Sequence, residues 1–139
     1  VVVNLYPFRE TVAKPDVAEA EAIEQIDIGG PSLIRAAAKN FASVAVSVAP
    51  VQYAAIKQDI ETHGGVSLEL RRKLATDCFA ATSAYDAAIH DYLSGATTQE
   101  LLPTTLKLEW QKSQQLRYGE NPHQKAAVYR TGGYVGPSI

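Results

Sequence analysis

The sequence predicts an α/β fold, and three observations carry that expectation. Val1 to Leu5 is β-branched and almost wholly apolar, so it reads as a buried strand. Ser43 to Ala49, Ser-Val-Ala-Val-Ser-Val-Ala, alternates as a second strand. Segments with helical spacing follow each strand after short links. The first 65 residues therefore read strand, helix, strand, helix, the pattern of an α/β layer.

The elements follow in order. Tyr6-Pro7-Phe8 ends the first strand, because Pro7 has no N–H for a ladder. Residues 9 to 16 read as a polar connection. Val17 to Gln25 reads as a short acidic helix, with Val17, Ala20 and Ile23 near one face. Asp27 to Gly30 reads as a turn, and a helix over residues 31 to 40 follows. Pro31 suits the first turn of that helix, and Ala36, Ala37 and Ala38 favour its middle. Pro50 closes the second strand. Val51 to Thr62 is expected to be helical and is stopped by Gly64-Gly65.

Ser67 then offers an N-cap for a long helix reaching about Leu93, with Gly95 just beyond its end. Leu70, Leu74, Cys78, Tyr85, Ile89 and Leu93 form its apolar stripe. Residues 96 to 104 change to a loop-like composition. Thr105 to Trp110 alternates as an extended segment, Leu116 to Gln124 is a polar turn, and Ala126 to Tyr129 suits a short strand.

The 139 residues would suit one domain, and an apolar fraction of 46% is enough for a packed core. The net charge of -2 gives no general reason to expect nucleic acid or a membrane as partner. No apolar run is long enough for a transmembrane helix, and the opening residues do not read as a signal peptide. The one cysteine, Cys78, fits a reducing compartment. The chain has no methionine and opens inside a strand, and two such strands are few for a stable sheet. An internal piece of a longer protein is expected.

The densest chemistry lies between residues 27 and 39. Asp27 precedes Gly29-Gly30, whose lack of side chains lets a ligand approach the backbone. A turn or capping carboxylate is the plainer reading of Asp27; a carboxylate aimed into a pocket is the functional one. The glycines match neither a Walker A loop nor a complete Gly-x-Gly-x-x-Gly. Lys39 stands late in its helix, where the macrodipole alone would favour it. Arg35 lies one turn earlier and repels it unless an anion intervenes. Asn4 and Tyr6 end the first strand, where open α/β sheets bind ligands. Cys78 reads as core, and His63, His90 and His123 lack metal spacing. Arg117-Tyr118, with Asn121 and His123, concentrates phosphate-binding and stacking groups in a turn, or forms an exposed connector.

Five blocks carry a resemblance: residues 1–8, 24–31, 33–40, 83–86 and 116–124. Together, and in this order, they resemble the bifunctional AICAR transformylase/IMP cyclohydrolase family of purine biosynthesis. The resemblance implies a methylglyoxal-synthase-like, mostly parallel layered domain followed by the start of a transformylase domain. It divides the chain into residues 1–95 from the cyclohydrolase, 96–112 as linker, and 113–139 from the transformylase. It implies catalytic roles for Lys39, Asp27 and Tyr6. It implies substrate contacts for Val3, Asn4, Ile28, Gly29 and Gly30, and ribotide binding by Arg117 and Tyr118. The cyclohydrolase step would need no cofactor and no metal. The transformylase step would use 10-formyltetrahydrofolate at a site outside this chain. AICAR, formyl-AICAR and IMP are the implied ligands, in a cytoplasmic homodimer. Phe41 and the run Ala81-Thr82-Ser83 stand where the family often has histidines, so no catalytic histidine is expected at either place. As a separate piece the chain is expected to be inactive. A non-catalytic nucleotide-binding or regulatory module of the same fold is the alternative; it would need the glycine turn but not both polar partners.

Overall fold

The computed structural model describes residues 1–95 and 110–131. The chain falls into two compact units, Val1–Gln99 and Glu100–Ile139. The expectations for 96–109, including the proposed linker up to that point, lie outside the described residues.

The first unit is mixed α/β, with little sheet among its described residues. Val1–Leu5 and Ala45–Val48 run side by side in parallel. The Val1 nitrogen donates to Ala45 O at 2.8 Å, Ser47 N to Val1 O at 2.9 Å and Val3 N to Ser47 O at 3.0 Å. Val2 and Ser47 form an isolated parallel bridge, and no regular strand forms among the described residues of this unit. The first segment is expected from its composition to be buried; instead Val1 and Val2 are exposed, while Val3 and Leu5 are partly buried against the core. What the described residues of this unit show is one short parallel pairing against helices.

Helix α1, Phe8–Val12, replaces the expected polar connection. Its reason is burial at helical spacing: Phe8 and Thr11 face inward. The Phe8 ring meets Tyr85 and Tyr92 edge to face, at 6.2 and 5.7 Å between centroids. Helix α2, Glu19–Glu24, is shorter than expected and buries Ala22 rather than Ile23.

Helix α3, Gly29–Lys39, starts two residues earlier than the proline suggests. Pro31 still lies within the first turn, where a missing N–H costs no helical bond. A 3-10 turn over Pro50–Gln52 leads into α4, Tyr53–His63, which Gly64 ends at a φ of 73°. That left-handed conformation suits glycine. Helix α5, Leu68–Leu93, matches its expected span, and Ser67 Oγ accepts from Leu70 N at 3.3 Å as its cap.

The core lies between α3, α5 and the second extended segment. Ile34, Ala37 and Ala38 pack with Leu74, Ala75 and Cys78, and Val46 closes the cluster. The small alanines let α3 approach α5 closely. Gln52 ties the extended segment to its neighbours. Its Oε1 accepts from Ser47 Oγ, Val48 N and Ala49 N, and its Nε2 donates to Asp77.

The second unit is an antiparallel hairpin of β1, Trp110–Gln115, and β2, Ala127–Thr131. The register shifts between Lys112 and Gln114, so Ser113 forms a bulge. β1 takes in Trp110 to Lys112, which the resemblance assigns to the linker.

Candidate functional site

The turn between α2 and α3 carries the first candidate, Asp27. Its Oδ1 accepts from Gly30 N at 2.7 Å, and its Oδ2 accepts from Tyr6 N at 3.3 Å. The carboxylate thus caps α3 from the residue before the formal N-cap, Ile28, and complements the positive end of the helix. Gly30 makes this possible. A Cβ there would lie 2.5 Å from Asp27 Oδ2 and 2.8 Å from Cγ. By contrast, a Cβ on Gly29 would meet nothing within 4 Å, so that stretch of backbone is open to an approaching group.

Tyr85 of α5 fixes the same turn from behind. Its hydroxyl accepts from Asp27 N at 2.9 Å and donates to Gln25 O at 2.8 Å. Burial pushes the phenol pKa up, partly offset by the Asp27 N–H bond, while the Asp27 and Asp86 charges add to the rise. The hydroxyl therefore keeps its proton and can donate.

Beside this turn, a cavity of about 500 Å³ opens beyond the ends of the two parallel segments. Asn4, Tyr6, Arg9, Ala49 and Tyr85 are among its walls. Carboxyl ends of parallel strands are where open α/β sheets place their ligands. Tyr6 contacts Asp27 through its backbone, leaving its own ring exposed. Asn4 Nδ2 donates to the Tyr53 hydroxyl at 3.2 Å. Val3 serves the parallel pairing, while Ile28 is 75% exposed beside the turn. Arg9 carries no signal in the sequence; its Nη2 donates to Ala84 O at 2.6 Å and ties α1 to α5.

Lys39 stands elsewhere. It ends α3, whose rise of 1.5 Å per residue separates it from Gly29 by about 15 Å. It lines a second concavity, of about 330 Å³, with Phe41, Arg72, Thr76 and Phe79. The Arg72 guanidinium lies 4.9 Å from the Phe41 ring centre, and Arg35 lies 5.4 Å from that of Phe79. Within this chain the structure brings Tyr6 to Asp27, sets Asn4 on the cavity that Tyr6 lines, and leaves Lys39 apart. Arg117 and Tyr118 stand exposed in the hairpin turn of the second unit. Among the described residues, no group of three or more His, Cys, Asp or Glu could hold a metal ion, and no helix is long and apolar enough to cross a membrane.

The sequence profile of the AICARFT/IMPCHase bienzyme family matches residues 37–137. The chain belongs to this family. It is 55% identical over 130 residues to the bifunctional purine biosynthesis protein PurH of Bacillus cereus strain AH187, covering 94% of this chain and 25% of that protein. It is 52% identical over all 139 residues to the proteins of the same name from Bacillus cereus strain Q1 and Bacillus thuringiensis subsp. konkukian strain 97-27, spanning 27% of each. The chain thus spans about a quarter of the length of the AICARFT/IMPCHase relatives it matches.

Proposed function

We propose that this chain is part of a bifunctional purine-biosynthesis enzyme that formylates AICAR and closes formyl-AICAR to IMP, and that residues 1–95 carry part of the ring-closing site. One observation supports this best. The Asp27 carboxylate is held by the backbone N–H groups of Gly30 and Tyr6, and Tyr6 in turn lines the cavity beyond the ends of the two parallel segments.

In ring closure the carboxamide nitrogen attacks the formyl carbon. A C–N bond forms, the carboxamide nitrogen loses one proton and the formamido nitrogen the other, and the former formyl oxygen leaves as water while a C=N bond forms to the formamido nitrogen. Asp27 orients the carboxamide and accepts its proton. The Tyr6 hydroxyl donates to the formyl oxygen as charge gathers there. Gly29 and Gly30, with Val3, Asn4 and Ile28, provide backbone and polar contacts to the ribotide. Lys39 assists the departing hydroxyl only if the substrate, the rest of the protein or a second subunit bridges the length of α3. In the full-length enzyme, Lys39→Ala is expected to slow ring closure; a wild-type rate would remove Lys39 from the mechanism.

In the same reading, 96–112 links the two domains and 113–139 begins the transformylase, where Arg117 and Tyr118 contact the ribotide. The formyl donor, 10-formyltetrahydrofolate, binds outside this chain. The full-length enzyme is a cytoplasmic homodimer in this reading.

A further inference from the structure

We infer that Tyr85 is a positioning residue for Asp27, its hydroxyl setting where the carboxylate points. This rests on the proposed role of Asp27 in ring closure. The geometry runs in one direction. Tyr85 is 8% exposed, and its ring is braced by Phe8. Its oxygen spends both of its hydrogen bonds on the turn: it accepts from Asp27 N at 2.9 Å and donates to Gln25 O at 2.8 Å. The bridge straddles Ile26 and pins the backbone on either side of it. With the backbone in that place, Gly30 N and Tyr6 N donate to the two carboxylate oxygens at 2.7 and 3.3 Å. Asp27 has a short side chain, so its aim is fixed by its backbone. A long helix packed in the core thus anchors a turn at the site, and a single oxygen atom makes the connection.

Tyr85→Phe removes that atom and keeps the ring that packs on Phe8. In the full-length enzyme it is expected to lower the kcat of ring closure about tenfold, because small misplacements of a reacting group are costly. The KM for formyl-AICAR is expected to stay within about twofold, since none of the residues proposed to contact the ribotide is itself replaced. An unchanged thermal melting profile of the same preparation reports folding. In the double variant with Asp27→Asn, the Tyr85→Phe loss is expected to vanish, because both changes act on one group. Wild-type kcat in Tyr85→Phe, or losses that multiply in the double variant, would overturn the inference. A slow Asp27→Asn beside a normal Tyr85→Phe defeats only the positioning role, whereas a wild-type Asp27→Asn defeats the underlying reading. Should Tyr85→Phe fail to fold, 3-fluorotyrosine at position 85 places a fluorine on the ring carbon beside the hydroxyl and makes that hydroxyl a stronger donor and a weaker acceptor. A changed kcat at unchanged KM supports the inference, and an unchanged kcat overturns it.

Discussion

The Asp27 carboxylate fills the space that a side chain on Gly30 would need: a Cβ there would stand 2.5 Å from Oδ2. The carboxylate cannot easily yield, because Gly30 N and Tyr6 N hold its two oxygens. Gly30→Ala is therefore expected to displace Asp27 and to slow ring closure by the full-length enzyme about a hundredfold. Steady-state kinetics check this. Gly29→Ala is the comparison, since that position has open space, and it is expected to cost less in kcat.

Gln52 is the hub that secures the end of the second extended segment, which lines the cavity through Val48 and Ala49. Three donors converge on its Oε1, and its Nε2 reaches Asp77 at 3.2 Å. Gln52→Ala would leave part-buried N–H groups of Val48 and Ala49 without this partner. A loss of about 1–3 kcal/mol in stability is expected. Thermal melting compared with the wild type measures it.

Asp59 gives a pH dependence of known sign. Its carboxylate accepts from Ser67 N at 2.6 Å and from His63 Nδ1 at 2.8 Å, joining the end of α4 to the start of α5. The Ser67 bonds lower its pKa below the ordinary value of 3.8, and His63 adds to the effect. A group whose folded pKa is depressed stabilises above its unfolded pKa and loses that effect as pH falls through the folded value. Asp59→Asn is therefore expected to melt below the wild type at pH 7, with the gap closing in acid below pH 3.8. Melting curves across that range check the sign.

Cys78 lies wholly buried, and its Sγ donates to Ile34 O at 3.4 Å. Burial pushes its thiol pKa up, with Arg35 pulling back weakly. Because the thiolate is the reactive form, native protein is expected to resist alkylation at Cys78 and unfolded protein to label fully. Mass spectrometry of the peptide containing Cys78 distinguishes the two.

Much of the fold is legible in the sequence where periodicity is strong. The long helix has a stripe through Leu74, Cys78 and Tyr85 and a capping serine, so its span of Leu68–Leu93 can be read directly. The helix Phe8–Val12 cannot, because only Phe8 and Thr11 face inward and the intervening residues are polar. β1 escapes for a related reason: Trp-Gln-Lys-Ser-Gln-Gln is exposed throughout and carries no alternation. At the site, the pairing of Asp27 with the glycine turn is visible as a spacing. The reason for Gly30 is not, since it depends on which way the carboxylate folds back. Tyr85 reads only as part of a core stripe, because its two partners are backbone groups 58 and 60 positions away. The separation of Lys39 from Asp27 follows from α3 starting at Gly29, which puts a full helix between them.

The central claim is that Asp27 acts in ring closure. The most direct measurement is the kcat for conversion of formyl-AICAR to IMP by the full-length protein carrying Asp27→Asn, a change that keeps the side-chain shape and removes its charge and basicity. A fall of about a hundredfold or more with transformylase activity retained is the expected result. Ring closure at the wild-type rate would contradict the claim.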